Sequence, residues 1–292
     1  MDFGRLMVAI ATPFGEDLEV DFTKFAALAS LLVEKGVEGL VVSGTTGESP
    51  TLSRKEKTDL ITAVKKAVKV PIIANAGTND TRVSIQNARD AEAAGADGLL
   101  LVAPYYNKPD QAMLYDHFAA IATSVHIPSM LYNVPSRTGI NIRPELIVKL
   151  SYDVPNINML KDAAGSLDDA TVVIRDAAPG FRLYTGEDAL TLPSLAIGAY
   201  GVVSVAAHVV APIMKRMIDK YLSGDIAAAA ALHVKLQAID RALFLQPNPV
   251  PVKKALELCG FAAGPLRPPL KSASVEVTAA LEKALKELGI LK

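Results

Sequence analysis

The sequence carries a single cysteine, Cys259, so no disulfide can form within the chain and a cysteine-rich zinc site is excluded. Cys259 precedes Gly260 where a helix is expected to end, which suits a packed thiol. The four histidines, His117, His126, His208 and His233, are scattered, and neither HxH nor HExxH spacing occurs. No metal site is legible, and a zinc-dependent aldolase is disfavoured. A GxxxxGK[ST] phosphate loop is missing, and no GxGxxG turn follows the first apolar run. Neither sign of charge is in excess: 30 Lys and Arg face 31 Asp and Glu, a formal net charge of −1. That balance argues against nucleic acid or a polybasic membrane contact as partner. Met1-Asp2-Phe3-Gly4-Arg5 lacks a charged head followed by a long apolar stretch, so no secretory signal is visible and a cytoplasmic location is expected. Charge is missing from one long run, residues 189–214, which could span a bilayer by length alone. Pro193, Gly198, Gly201, His208 and Pro212 interrupt it, and its β-branched centre reads as a strand, so a buried helix, strand and helix start are expected.

What the sequence does have is apolar bulk, half of its 292 residues, which is enough for a large core. It also has a recurring unit, in which an apolar strand is followed by a polar or Gly-rich loop and an amphipathic helix. Strands are expected at 6–12, 39–43, 71–74, 98–102, 129–132, 157–162, 181–184 and 201–205. Helices are expected between them, the first capped by Asp21 and stopped by Gly36, the second opened by the Ser53 and Glu56 capping box. The strands are nearly continuous apolar runs, as in a parallel sheet buried on both faces. Eight such units predict the α/β class and a (β/α)8 TIM barrel over residues 1–223. A doubly wound sheet is the competing reading. After Gly224 only helices are expected, at 225–245, 252–259 and 274–288, forming a C-terminal helical region over 224–292 packed on the barrel. Pro251 suits the first turn of the second of these.

Active residues of such barrels sit at the carboxyl ends of the strands. The sixth strand, Ile157-Asn158-Met159-Leu160-Lys161-Asp162, is the only one that ends in a lysine. A strand-end lysine is ordinarily a solvent-seeking side chain or a partner for its neighbour, here Asp162. The other strand ends change that weighting. They bring Ser43-Gly44-Thr45-Thr46-Gly47-Glu48, Pro104-Tyr105-Tyr106-Asn107, the segment from Tyr132 to Gly139 with Arg137, Gly186-Glu187, and Val203-Ser204-Val205. One amine, several hydroxyls and one guanidinium would then converge. Burial favours a neutral amine, the form that attacks a ketone. Hydroxyls relay protons, and arginine grips a carboxylate bidentately. Singly, each has a plainer explanation: Thr45 and Thr46 as a turn, Tyr132 as a core aromatic, Arg137 as surface, Glu187 as a helix start. Their joint placement at one barrel end favours a site.

Gly44-Thr45-Thr46-Gly47-Glu48, Tyr132-Asn133-Val134-Pro135 and Lys161-Asp162-Ala163 resemble the pyruvate-dependent class I aldolase family that includes N-acetylneuraminate lyase and dihydrodipicolinate synthase. The resemblance covers essentially the whole chain. It is closer to the synthase branch through Pro104-Tyr105-Tyr106-Asn107-Lys108-Pro109, the Tyr132-to-Gly139 segment and Asn248-Pro249-Val250-Pro251-Val252-Lys253. It implies that Lys161 forms a Schiff base with pyruvate, and that the resulting enamine attacks L-aspartate 4-semialdehyde to yield 4-hydroxy-tetrahydrodipicolinate, the entry to diaminopimelate and lysine biosynthesis. Tyr132 would donate and accept the proton. Thr45 would link Tyr132 to a Tyr106 from a neighbouring subunit, which implies a homotetramer built as a dimer of dimers. Thr46 and the Val203 backbone would hold the pyruvate carboxylate, Arg137 the aldehyde's carboxylate, and Gly186 and Glu187 would line the second-substrate region. Neither a metal nor an organic cofactor is implied.

Two departures accompany the resemblance. The family more often follows its lysine with Glu and a Ser- or Thr-Gly pair, where this chain has Asp162-Ala163-Ala164-Gly165. Positions that align with the lysine-inhibition site of feedback-regulated members carry Arg54, Lys57 and Val83, although Ser49, Asn79 and Tyr105 persist. Weak or absent inhibition by lysine is therefore expected. Another pyruvate-dependent aldolase, acting on N-acetylneuraminate or a 2-keto-3-deoxy sugar acid, and a non-enzymatic ligand-binding barrel are the alternatives.

Overall fold

The computed structural model describes residues 1–292. Eight strands alternate with helices: β1 (Leu6–Ala9), α1 (Phe22–Glu34), β2 (Gly39–Val42), α2 (Arg54–Ala67), β3 (Ile72–Asn75), α3 (Thr81–Ala93), β4 (Gly98–Val102), α4 (Gln111–Ala122), β5 (Ser129–Asn133), α5 (Pro135–Thr138), α6 (Pro144–Asp153), β6 (Ile157–Asp162), α7 (Leu167–Asp176), β7 (Arg182–Thr185), α8 (Thr191–Ala196), β8 (Gly201–Ser204) and α9 (Ala207–Leu222). Three helices follow, α10 (Ile226–Ala242), α11 (Val250–Leu258) and α12 (Val275–Glu287). All strand pairs are parallel, and β8 closes onto β1, so the sheet is a complete eight-stranded barrel and not an open doubly wound sheet.

Local chemistry sets these boundaries. Asp21 Oδ1 accepts from the Lys24 amide at 2.8 Å and starts α1, and Lys35 and Gly36 (φ 97°) end it. Ser53 and Glu56 form the expected reciprocal cap at α2. Asp80, Asp110, Ser166, Asp225 and Ser274 cap α3, α4, α7, α10 and α12 in the same manner, each satisfying an otherwise unpaired amide. Two elements differ from the expectation. The segment after β5 is not all loop: Pro135 opens the short helix α5 and Gly139 (φ 75°) stops it. The helix expected directly after β7 starts instead as a single 3-10 turn, Asp188–Leu190, ahead of α8.

Side chains alternate across each strand, so the barrel has two apolar layers. The inner one gathers Met7, Val41, Ile73, Leu100, Met130, Tyr132, Met159, Tyr184 and Val203. The outer one is continuous between strands and helices and includes Leu40, Leu101, Phe118, Leu131, Leu160 and Met214. The charge-free run at 189–214 falls into α8, β8 and the start of α9, where Pro212 and the non-helical Val210 (φ −123°) bend the chain. No helix is long and apolar enough to cross a membrane. The C-terminal helices pack on this frame, α10 along α9 and α12 across α10 and α11. Cys259 caps α11 and is half-buried, which pushes its thiol pKa up.

Candidate active site

The β6 register places Lys161 beside Tyr132 of β5 and Tyr184 of β7, and all three point into the barrel. Lys161 is 5% exposed, and its Nζ lies 4.3 Å from the centre of the Tyr132 ring. The ring face gives the amine a weak electrostatic partner without a carboxylate's full charge. Gly186 lets the lysine through: a Cβ there would stand 2.9 Å from Lys161 Cε and 2.9 Å from Ala163 Cβ. The adjacent Asp162 does not pair with Lys161, because neighbours on a strand face opposite ways. Its carboxylate accepts instead from Asn133 Nδ2 at 3.2 Å and the Ala164 amide at 3.3 Å, and burial pushes its pKa up to about 6.

A cavity of about 340 Å³ opens at the carboxyl ends of the strands, lined by Thr45, Tyr132 and Arg137 together with Ser49, Lys57 and Tyr105. Lys161, Thr46, Gly186, Glu187 and Val203 lie outside this lining. Lys161 sits against the Tyr132 ring that forms part of the cavity wall. Glu187 stands in the field of both cations. Burial raises its pKa most and Asp188 adds to that, while Lys161 and Arg137 act in the opposite direction. Lys57 is a further cation on the cavity wall, and burial pulls its pKa down. Of the three residues read against lysine inhibition, it alone lines the cavity; Arg54 bonds Asp90 at 2.5 Å on the outside and Val83 is exposed.

The threonine loop is tightly framed. Ser43 and Glu48 both adopt a left-handed backbone, φ 56°, that non-glycine residues rarely take. A side chain at Gly47 would meet Ile10 O, Ser43 Cα and Thr12 Oγ1, each at 3.2 Å, and Thr12 Oγ1 donates to Gly47 O at 2.8 Å. Thr46 is buried, and its Oγ1 accepts from Asn248 Nδ2. Tyr106 is not brought to the cavity of its own chain. It is 89% exposed, with φ 74°, in a loop steadied by Asn107 Nδ2 donating to Asn79 O at 2.8 Å.

Several structurally prominent groups escaped the sequence reading. Asp188 is fully enclosed, accepting from the Val205 amide at 2.9 Å, the Ala206 amide at 3.0 Å and the Ser204 hydroxyl, so it ties the end of β7 to the end of β8 beside Val203. Burial raises its pKa, and Asp240 of α10, pushed up to about 8 by burial and by Asp188, faces it. Their only sequence signal was the step from Gly186-Glu187 into Asp188. Asn248 and Lys253 stood in the Asn-Pro-Val-Pro-Val-Lys segment without a role. His208 accepts from the Ala11 amide through Nε2 at 3.0 Å and faces Val205 O through Nδ1 at 2.8 Å, so both nitrogens are committed to backbone. Burial lowers its pKa to about 4. No group of three or more His, Cys, Asp or Glu stands close enough to hold a metal ion.

The arrangement offers an enclosed amine, a phenol against it, hydroxyls, and an arginine at the mouth. The likeness to known proteins runs over the whole chain. The profile of the Dihydrodipicolinate synthetase family matches residues 2–288. The 4-hydroxy-tetrahydrodipicolinate synthase of Moorella thermoacetica is 48% identical over 293 residues, covering 100% of both chains. Among solved structures, the lysine-bound enzyme of Cyanidioschyzon merolae superposes with a TM-score of 0.97 at 42% identity, covering 99% of each chain. A structure described as the first monomeric dihydrodipicolinate synthase variant superposes with a TM-score of 0.96 at 38% identity, covering 99% of this chain and 98% of its own. The chain is a TIM-barrel enzyme and belongs to the dihydrodipicolinate synthetase family.

Proposed function

We infer that the chain condenses pyruvate with L-aspartate 4-semialdehyde to 4-hydroxy-tetrahydrodipicolinate, the entry step of diaminopimelate and lysine biosynthesis, by a class I, lyase-type route. The observation that carries the route is Lys161, an enclosed strand-end amine without a carboxylate partner, held between the Tyr132 ring and Gly186. The amine attacks the ketone carbon of pyruvate, and water leaves to give the imine. Loss of a methyl proton gives the enamine, whose carbon bonds to the aldehyde carbon of the second substrate. The substrate's own amine then closes the ring and displaces the lysine.

Tyr132 moves the protons: its ring lies against the amine and the residue also lines the cavity. Thr45 shares the cavity with Tyr132 and relays to Tyr106 of a neighbouring subunit. The outward stance of Tyr106 supports that crossing, and with it a homotetramer made of two dimers. Thr46 and the Val203 backbone hold the pyruvate carboxylate. Arg137, on α5 at the mouth, takes the aldehyde's carboxylate. Gly186 and Glu187, outside the lining of that cavity, border the second-substrate region from the Lys161 side, with Glu187 in the field of Lys161 and Arg137. Arg137 favours a carboxylate-bearing aldehyde over a sugar-derived one. Residues 1–223 act as the catalytic barrel and 224–292 as a helical region packed on it, and the enzyme works in the cytoplasm.

Borohydride added with pyruvate should leave a covalent mass at Lys161, and turnover should favour aspartate semialdehyde over hydroxylated aldehydes. An unmodified Lys161 would overturn the route. A preference for sugar-derived aldehydes would reassign the substrate.

A further inference from the structure

Thr46 is held from the far end of the chain. Asn248, just ahead of α11, donates its Nδ2–H to Thr46 Oγ1 at 2.8 Å, and both side chains are buried. An amide nitrogen only donates, so Thr46 Oγ1 is the acceptor in this bond and its own proton is left over. The rest of the threonine loop is clamped from the same region. The Glu48 carboxylate takes Lys253 Nζ at 2.7 Å and the Arg267 amide at 2.9 Å. Lys253 and Arg267 both stack on Phe14, at 4.3 and 4.4 Å, and Arg267 donates to Leu18 O and Thr51 O. The loop therefore has little freedom to turn Thr46 away.

We propose that Asn248 is a positioning residue for the 2-oxo acid: by filling the acceptor side of Thr46 Oγ1, it dedicates the Thr46 O–H to the substrate carboxylate. The inference rests on the reading of Thr46 as a carboxylate holder. A charge-assisted bond from that hydroxyl depends on which way its proton faces. With the Asn248 amide reversed, Thr46 would donate to Asn248 and present only lone pairs to an anion. Asn248→Asp, assayed at a pH where its carboxyl is ionised, reproduces that reversed case in an isosteric side chain, since both carboxylate oxygens then accept. The remaining amide oxygen of Asn248 is buried without a partner, so the side chain is held chiefly through Thr46. A residue that merely anchored the turn before α11 would cost stability alike whether or not residue 46 carried a hydroxyl.

The test is a double-mutant cycle read in KM for pyruvate, kcat, and the pyruvate concentration that half-saturates borohydride trapping at Lys161. Asn248→Ala should raise KM for pyruvate about tenfold, the scale of one charge-assisted hydrogen bond. Asn248→Asp should raise it further. In a Thr46→Val background, both substitutions should change it by less than about twofold, because the proton they misdirect is gone. Thr46→Ser, which keeps the oxygen, should restore sensitivity to Asn248→Ala. Effects that simply multiply across the cycle, or a loss of thermal stability with KM for pyruvate unchanged, overturn the proposal. Should Asn248→Ala fail to fold, the Asn248→Asp cycle decides by the same criterion. A wild-type protein that traps no pyruvate overturns the proposed function itself, whereas normal trapping with an uncoupled cycle overturns only the role of Asn248.

Discussion

Gly186→Ala offers the most direct perturbation of the proposed nucleophile. Its backbone lies outside the left-handed region, so alanine carries no conformational penalty there and the effect is purely one of space. The new Cβ would stand 2.9 Å from Lys161 Cε, 2.9 Å from Ala163 Cβ and 3.3 Å from Asp162 O. Carbon pairs settle at about 3.5–4.0 Å, so each clash needs relief of roughly 0.6–1 Å. Lys161 can yield by rotating its stem, which carries its amine away from the Tyr132 ring. Ala163 can yield only by moving backbone. Overpacking of this kind costs about 1–3 kcal/mol, and a misplacement near 1 Å costs on the order of a hundredfold in rate. Gly186→Ala should therefore lower kcat/KM about a hundredfold, slow single-turnover trapping of pyruvate in proportion, and lower Tm by several degrees. Adding Ala163→Gly removes one of the two clashes. The double variant should regain most of the lost Tm while imine formation stays slow. Wild-type trapping by Gly186→Ala, or recovery of both properties together, would refute the reading that Gly186 is the passage for Lys161.

Other expectations concern charge and assembly. Asp240 titrates near 8 in the folded chain against 3.8 unfolded. The folded state thus holds the extra proton, and this group's contribution to stability falls as pH rises between those values. Asp240→Asn should raise Tm more at pH 8.5 than at pH 5.5, and an equal gain at both would contradict this. Lys253→Met leaves Glu48 buried and unpaired, which should cost about 3–5 kcal/mol in chemical denaturation, while Lys253→Met with Glu48→Gln should recover much of it. If Tyr106 serves a neighbour, inactive Lys161→Ala and Tyr106→Ala chains refolded together should regain activity; a mixture as inactive as its parts would show that it does not. Sub-millimolar L-lysine should leave the rate unchanged, given the Lys57 cation on the cavity wall, and inhibition in that range would overturn this.

The legible parts of this molecule were those whose causes are local. Strand β6 is bounded where its apolar run suggested, and α1 and α2 start on the caps that Asp21 and Ser53 announce. Helix α5 was missed because four residues make too short a pattern, although Pro135 and Gly139 bracket it. Of the candidates read from the segments that follow the strands, Thr45, Tyr132 and Arg137 share one cavity, whereas Lys161, Thr46, Gly186, Glu187 and Val203 lie outside its lining. The supports of the site were not legible. Asp188 becomes meaningful only when Ser204, Val205 and Ala206 close around it, and Asn248 only when a turn far along the chain meets Thr46. Long-range hydrogen bonds leave no periodicity in sequence. The Lys161–Asp162 ion pair, the plainer reading that the other strand ends outweighed, is not formed, since strand alternation sends the two to different faces.

The clamp on Glu48 bears on the order in which the protein becomes competent. Synthesis runs from the N-terminus, so Glu48 and the threonines leave the ribosome long before Lys253 and Arg267 exist. The strands can all be present while the loop beside them still lacks its countercharge and the Phe14 ring lacks both of its cations. The contacts that set the threonine loop therefore come from residues made after every strand of the barrel.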